Sequence, residues 1–372
     1  MMRQNRKQSS GSSGYESRGV TRRQFVARSF GALMAAPFIS VAPRAFGAGK
    51  EGTVTFASFG GAYNEALDRN FIKPFEKQSG ISVRMAANTS LAGLKSQVAA
   101  NAVQWDIAEL TGTEYELAIK QGIPLEPLDL SVIRTTNIPE YAVKKFGIKY
   151  AFFLEVMAWD RKSISQPPKT WAEFFDSKRY SGKRSLYTTL SDSMLLEFAL
   201  LADGVAMKDL YPLDVDRALR AMGRLKPDQI AWYETNQQVI QQMVSGESKL
   251  GMPFTGRVRI ANKGGAAIDY SINEGGATGD YLVVPKGAPN AKNAMKLIDF
   301  ICNDAKAGAG FMNETHYGLT NLAAIKLLDP NVAREVPTNP ELDGKIFRKD
   351  DVWWMENLDA AVQKFRAWQV SR

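Results

Sequence analysis

Apolar residues along the chain fall into two rhythms, the two-residue period of strands and the three-to-four-residue period of helices. Thr53-Val54-Thr55-Phe56-Ala57 is β-branched and apolar and predicts a strand that ends at Ser58-Phe59-Gly60-Gly61. Beyond the glycines, Leu67, Phe71 and Phe75 recur every four residues on one helix face, and Pro74 predicts a kink or split there. Gly80 stops this helix. Residues 81–85 read as a second strand, 91–102 as a helix, 105–110 as a third strand, and 113–121 as a helix stopped by Gly122. This β-α-β-α order predicts a parallel sheet with covering helices. Ligands of such sheets sit at the carboxyl ends of the strands, which brings 58–63 and 110–114 to one mouth.

The apolar run 150–160 is interrupted by Glu155. Pro167-Pro168 then opens a new unit, in which Thr170 caps a helix and Glu173 completes a capping box. A second α/β block extends to about residue 272, with a helix over 236–245 and a strand over 249–254. A strand over 280–285 and a helix over Ala291–Asn303 follow. A last amphipathic helix, 350–368, carries Trp353, Trp354, Leu358, Val362 and Phe365.

Composition narrows the chemistry. The 372 residues are 45% apolar and 23% charged, ordinary globular usage. Cys302 and His316 are the lone residues of their kinds. A zinc site takes about four ligands, mostly Cys and His, so zinc, haem and iron–sulfur chemistry are disfavoured. There is no phosphate-loop motif and no G-x-S-x-G. The net charge of +8 is local: of 47 basic and 39 acidic residues, eight bases and one acid fall within 1–48, and the rest of the chain is nearly neutral. No general field for nucleic acid remains.

The basic segment has the layout of an export signal. Arg22-Arg23 precedes an uncharged stretch, 29–43, and then Arg44-Ala45-Phe46-Gly47-Ala48. Fifteen uncharged residues containing Pro37 are too few for a bilayer-spanning helix, which needs ~20. The pattern resembles a twin-arginine signal, with cleavage near Gly47 or Ala48 and a periplasmic destination. The export machinery that reads such signals is an expected partner.

Four stretches carry a wider resemblance. The first is Ser58-Phe59-Gly60-Gly61-Ala62-Tyr63 with Phe71-Ile72-Lys73-Pro74-Phe75-Glu76-Lys77-Gln78-Ser79-Gly80. The second is Thr170-Trp171-Ala172-Glu173-Phe174-Phe175-Asp176 with Tyr180-Ser181-Gly182-Lys183. The third is Ser245-Gly246-Glu247 running into Leu250-Gly251-Met252-Pro253-Phe254-Thr255-Gly256-Arg257. The last runs from Asn273-Glu274-Gly275-Gly276 through Thr278-Gly279-Asp280 to Pro285. In order and spacing the chain resembles the periplasmic solute-binding proteins of ABC importers, in the branch that holds the spermidine/putrescine binders. The resemblance implies an α/β, bilobal periplasmic-binding-protein fold (type II), two α/β lobes joined by a two-strand hinge. It implies crossings near 150–158 and 272–281. Behind the tail and signal of 1–48, lobe one is then 53–152 with 279–328, lobe two 153–278, and 329–372 a C-terminal helical segment bracing both. It also implies a monomeric, non-enzymatic protein with no cofactor or metal, a small amine as ligand and an importer permease as partner.

The same resemblance suggests a site. A carboxylate stands before the returning hinge strand in this branch, and Asp280 matches it. Two acids of the polyamine binders fall here on Ser191 and Met194, and the tryptophan expected before the hinge aspartate is absent, with Thr278 and Gly279 in its place. Phe254 and Arg257 align with a turn facing the cleft; Arg257 is either a fork for a ligand carboxylate or half of a surface ion pair. Phe59 and Tyr63 offer aromatic faces for an ammonium, Gly60 a backbone amide, and Thr111 and Thr113 hydroxyls. Thr235 caps a helix, touches ligand, or both. Glu155 meets either a substrate ammonium or a neighbouring cation. Paired tyrosine ligands for iron are missing. These residues suit a polyamine, amino-acid-like or opine-like solute. The rival reading, an exported enzyme, needs Glu155 and Asp280 as an acid–base pair.

Overall fold

The computed structural model describes residues 52–372; Arg22, Arg23, Gly47 and Ala48 lie outside them. β1 (Thr53–Ala57) leads through α1 (Gly61–Leu67), a π-helical turn at Asp68–Ile72 and α2 (Lys73–Ser79) to β2 (Ser82–Ala86). Pro74 sits in the first turn of α2, where its missing N–H is harmless, so the predicted split occurs as a widened turn. α3 (Leu91–Ala99), β3 (Ile107–Thr111) and α4 (Gly112–Lys120) complete this part. β4 (Val143–Lys144) and the long β5 (Gly147–Asp160) come next.

The chain continues with α5 (Trp171–Phe174), β6 (Lys183–Tyr187), α6 (Leu195–Ala202), α7 (Val215–Met222) and β7 (Ile230–Tyr233). α8 (Asn236–Val244), β8 (Ser248–Gly251), α9 (Thr255–Lys263) and β9 (Ile268–Val283) follow. After them come α10 (Ala291–Asn303), α11 (Ala305–Thr315), β10 (Gly318–Leu319), α12 (Leu322–Ile325), α13 (Pro330–Ala333), β11 (Ile346–Arg348) and α14 (Asp351–Val370). Thr170 caps α5 as expected, but the Glu173 carboxylate accepts from Lys169 N at 2.7 Å rather than closing the box on Thr170.

The sheet runs β2-β1-β3-β9-β5-β8-β6-β7. The predicted parallel order holds for β1 with β2 and β3, and β6 also pairs in parallel with β7 and β8. Between the two groups it is broken, because β9 is antiparallel to both β3 and β5. β5 and β9 pair from Gly147↔Val283 to Asp160↔Ile268 and pass through two apolar cores. One core surrounds Phe56, Phe71, Tyr150 and Phe311; the other surrounds Trp171, Phe174, Phe198 and Tyr233. α14 buries Trp354, Ala361 and Phe365 in the second core and also packs on α4. β9 is far longer than the apolar 280–285 run. Its glycines are sites of close approach: a Cβ on Gly279 would lie 2.5 Å from Ala151 O.

Glu155 marks a register shift in β5 and is fully buried. Its carboxylate accepts from Met194 N at 2.7 Å and Ser193 Oγ at 3.0 Å, holding the start of α6 against the crossing strand. Burial, opposed by these two bonds and by Lys349, raises the carboxyl from an ordinary 4.5 to about 8. An acid whose folded value is raised binds more protons folded than unfolded, so its contribution to stability is lost as pH rises. Relative to Glu155→Gln, wild type is therefore expected to lose stability between about pH 4.5 and about pH 8, measured by urea unfolding across that range; parallel profiles contradict the assignment.

The N-terminus of α9 lies directly on the 315–317 segment. A Cβ on Gly256 would fall 2.5 Å from the Tyr317 ring and 2.7 Å from Thr315 O. Gly256→Ala is expected to cost about 1–3 kcal/mol through overpacking, read as a lower urea midpoint with an unchanged slope.

Candidate functional site

A cavity of about 330 Å³ opens where the carboxyl ends of β1 and β3 face the starts of α8 and α9. Phe59 and Gly60 come from the turn after β1, Tyr63 from α1, and Thr111 and Thr113 from the end of β3 and the start of α4. Ser191 lies before α6, Phe254 and Arg257 at the start of α9, and Asp280 on β9. Nine of the eleven residues proposed from the sequence thus line one cavity. Phe153, Tyr187, Asn236, Thr278 and Tyr317 complete the wall. A larger groove of about 470 Å³ between α8 and α9 shares Arg257 but has neither the aromatic wall nor Asp280.

Two proposed residues lie elsewhere. Glu155 is enclosed beside Ser193 and Met194, as described above. Thr235 is the N-cap of α8 in a capping box with Gln238, and its neighbour Asn236 reaches the cavity instead. Gly60 is present in the lining, yet its N–H donates to Asn64 Oδ1 at 2.8 Å and is not available to a ligand anion. Thr111 likewise caps α4, with Glu114 closing the box. Trp354 is wholly buried and donates to Glu197 Oε1 at 2.8 Å, so the tryptophan belongs to the core.

The polar centre is Asp280. It sits opposite Thr111 on β3 and Ala151 on β5, is 5% exposed, and faces the cavity. Among the described residues no donor reaches its carboxylate. Burial raises this carboxyl well above the ordinary range, and the nearby acids Glu109 and Glu114 push the same way, while Lys149 opposes them. The Lys149 ammonium is itself bonded to Asp351 at the start of α14 and lies 5.2 Å from the Tyr281 ring centre. Arg257 is half-buried and, among the described residues, has no acid within ion-pair distance, so the surface-ion-pair reading lacks a partner.

The remaining wall is aromatic. Tyr63 contacts Phe59, Phe153 and Tyr317, with ring centres 6.4, 6.2 and 6.0 Å away. Phe153 meets Tyr317 edge-on at 4.7 Å and Phe254 at 6.3 Å. Phe153 lies within the apolar run that Glu155 interrupts. Tyr317 adjoins the lone histidine, which is buried 3.5 Å from Glu335. Neither aromatic carries a local sequence signal for a cavity.

Comparison with known proteins agrees with this architecture. Residues 70–343 match the bacterial extracellular solute-binding protein family. The gamma-aminobutyric acid-binding protein of Pseudomonas aeruginosa is 30% identical, covering 85% of this chain and 90% of its own. A solved GABA receptor is 32% identical with a TM-score of 0.77, covering 85% and 97%. The binding protein AgtB of Agrobacterium tumefaciens R10, in complex with agropinic acid, is 35% identical with a TM-score of 0.74, covering 85% and 98%. The chain belongs to the bacterial extracellular solute-binding protein family.

Proposed function

We propose that the protein is exported to the periplasm, captures a small amine that also bears a carboxylate, and hands it to an ABC permease. The observation that carries this reading is Asp280, a buried carboxylate facing the cavity with no donor among the described residues. An ammonium group supplies both the charge and the hydrogen bonds it lacks. Arg257 receives the ligand carboxylate, and Tyr63, Phe153, Phe254 and Tyr317 enclose the carbon skeleton and favour the cation. The relatives named for gamma-aminobutyric acid support an amino-acid-like ligand. A long polycation fits less well, because Arg257 opposes its far ammonium and Ser191 brings no charge there.

Lobe one (53–152 with 279–328) and lobe two (153–278) close about β5 and β9, with 329–372 bracing them. The Arg22-Arg23 segment directs export by the twin-arginine route. Among the described residues no helix is long and apolar enough to cross a membrane. Turnover is disfavoured, since Glu155 is bonded away from the cavity and cannot pair with Asp280 as acid and base.

Micromolar affinity corresponds to about −8 kcal/mol, and two charge-assisted contacts at about 1.5–3 kcal/mol each supply much of it. Calorimetry with a panel of amines and amino acids including 4-aminobutyrate identifies the best ligand. Asp280→Asn and Arg257→Ala are each expected to weaken it by on the order of 10–100-fold. Affinities within twofold of wild type for both variants contradict the site.

The raised Asp280 carboxyl also fixes a pH dependence. An ammonium ligand favours the ionised form, so binding lowers its titration point and expels a proton. Affinity is expected to rise with pH across the range where free Asp280 titrates, with proton release read from binding enthalpies in buffers of different ionisation heat. Proton uptake, or none, contradicts the role of Asp280.

A further inference from the structure

Beneath the cavity wall three oxygens form a closed triangle. Glu109 Oε1 lies 2.8 Å from the Tyr63 hydroxyl and 2.6 Å from the Tyr150 hydroxyl, and the two hydroxyls are 2.7 Å apart. Every edge is a hydrogen-bond distance and needs one proton. The tyrosines bring two. An ionised Glu109 brings none, and one edge would then set lone pair against lone pair beside a Glu109 that is 0% and a Tyr150 that is 1% exposed. A protonated Glu109 brings the third, and each oxygen then donates once and accepts once. Ser58 Oγ donates to the other carboxyl oxygen at 2.6 Å and is satisfied in either case.

We infer that Glu109 is a neutral carboxylic acid in the folded protein and thereby a specificity-determining residue, leaving Asp280 as the single carboxylate that an incoming solute meets. The specificity half of this inference rests on the proposed amine-binding function. The groups around Glu109 agree with its neutrality. Ser58 beyond β1, Tyr63 on α1 and Tyr150 on β5 are uncharged partners, and Asp280 on β9 is a second buried acid, so the two oppose each other's ionisation. Among the described residues no lysine, arginine or histidine lies within ion-pair distance of it. Lys149, the cation beside Asp280, is bonded to Asp351. Burial moves the Glu109 carboxyl upward against the weaker pull of its three hydroxyl donors.

The consequence is a charge count. With Glu109 neutral, one ammonium is matched by Asp280, and the second ammonium of a diamine meets no carboxylate in the lining. With Glu109 ionised, a second negative charge lies just behind Tyr63, and the disadvantage of a diamine shrinks. The protonation of one buried residue therefore sets the preference between one ammonium and two.

The test has a ligand-free arm and a ligand arm, both on the whole protein. In the infrared, the wild-type minus Glu109→Gln difference spectrum is expected to contain a carboxylic-acid C=O band at pH 6 that gives way to carboxylate bands at high pH. Tyr63→Phe, which keeps the ring, shifts that band by removing one hydrogen-bond partner, and serves if Glu109→Gln does not fold. Carboxylate bands for Glu109 at pH 6 overturn the inference. In calorimetry with 4-aminobutyrate and 1,4-diaminobutane, the affinity ratio is expected to shift by about tenfold toward the diamine between pH 6 and pH 8.5. In Glu109→Gln that ratio stays flat. An acid band together with an unmoving wild-type ratio overturns the specificity role. An acid band in a protein that binds neither amine supports neutral Glu109 and counts against the amine function instead.

Discussion

The antiparallel pairing of β5 with β9 is the constraint on which the rest of the molecule depends. These two strands pass through both cores, and the parallel groups on either side attach to them, β3 to β9 and β8 to β5. The register of one pair, Ala151↔Asp280, sets Asp280 opposite Thr111 at the end of β3. Gly279 beside it approaches the β5 backbone so closely that a side chain has no room. Position and burial of the charged residue are thus decided by backbone pairing, before any contact with ligand. The register shift at Glu155 does the corresponding work on the other crossing strand, tying it to the start of α6.

Burying acids is costly unless donors compensate them, and the protein compensates its buried acids with care. Asp106 accepts from Thr55 N and Asn290 N, and Glu197 from Tyr211 and Trp354. Glu109 has Ser58, Tyr63 and Tyr150; Glu155 has Ser193 and Met194; Asp351 has Lys149. Asp280 stands apart in having no donor among the described residues while facing the cavity. Each of the other buried carboxylates has at least one donor, although one oxygen of Glu197 and one of Asp351 have none, and on the proposed function the donor for Asp280 arrives from solution. On the proposed function, stability and function meet at this residue, because the cost of its desolvation is returned only with a cation.

Much of the architecture was legible as local pattern. The first strand and the helix Ala291–Asn303 have the predicted bounds, since β-branched alternation and a strong helical period leave little choice there. From its own residue pattern β9 was legible only in its apolar end, while the family resemblance put a crossing near 272–281. Its first part, through Glu274-Gly275-Gly276, has no two-residue period, because its glycines answer to neighbours far along the chain such as Phe347 and Met194. The parallel order of the first group was likewise read correctly, and the antiparallel junction escaped because pairing between distant segments leaves no local trace. At the site, residues with conspicuous chemistry on loops stood out, whereas Phe153, Tyr187 and Tyr317 reach the cavity by tertiary packing. Glu155 shows the opposite error of reading, a charge whose isolation in an apolar run reflects a backbone clamp.

In the proposed site, Arg257 and Asp280 divide the recognition problem between unlike environments. Asp280 is rigid, held mid-strand between two neighbours, and its charge is expensive until a ligand arrives. Arg257 is half-buried on the first turn of a helix whose start is pressed against Tyr317 through Gly256. The two ends of the site differ in what they demand. The acidic end accepts only a group able to replace lost hydration, and the basic end accepts any oxyanion within reach. The aromatic wall between them rewards apolar length and excludes water, which strengthens both contacts. Selectivity in such a site comes mainly from the buried carboxylate, because a ligand that fails to satisfy it leaves a desolvated charge behind.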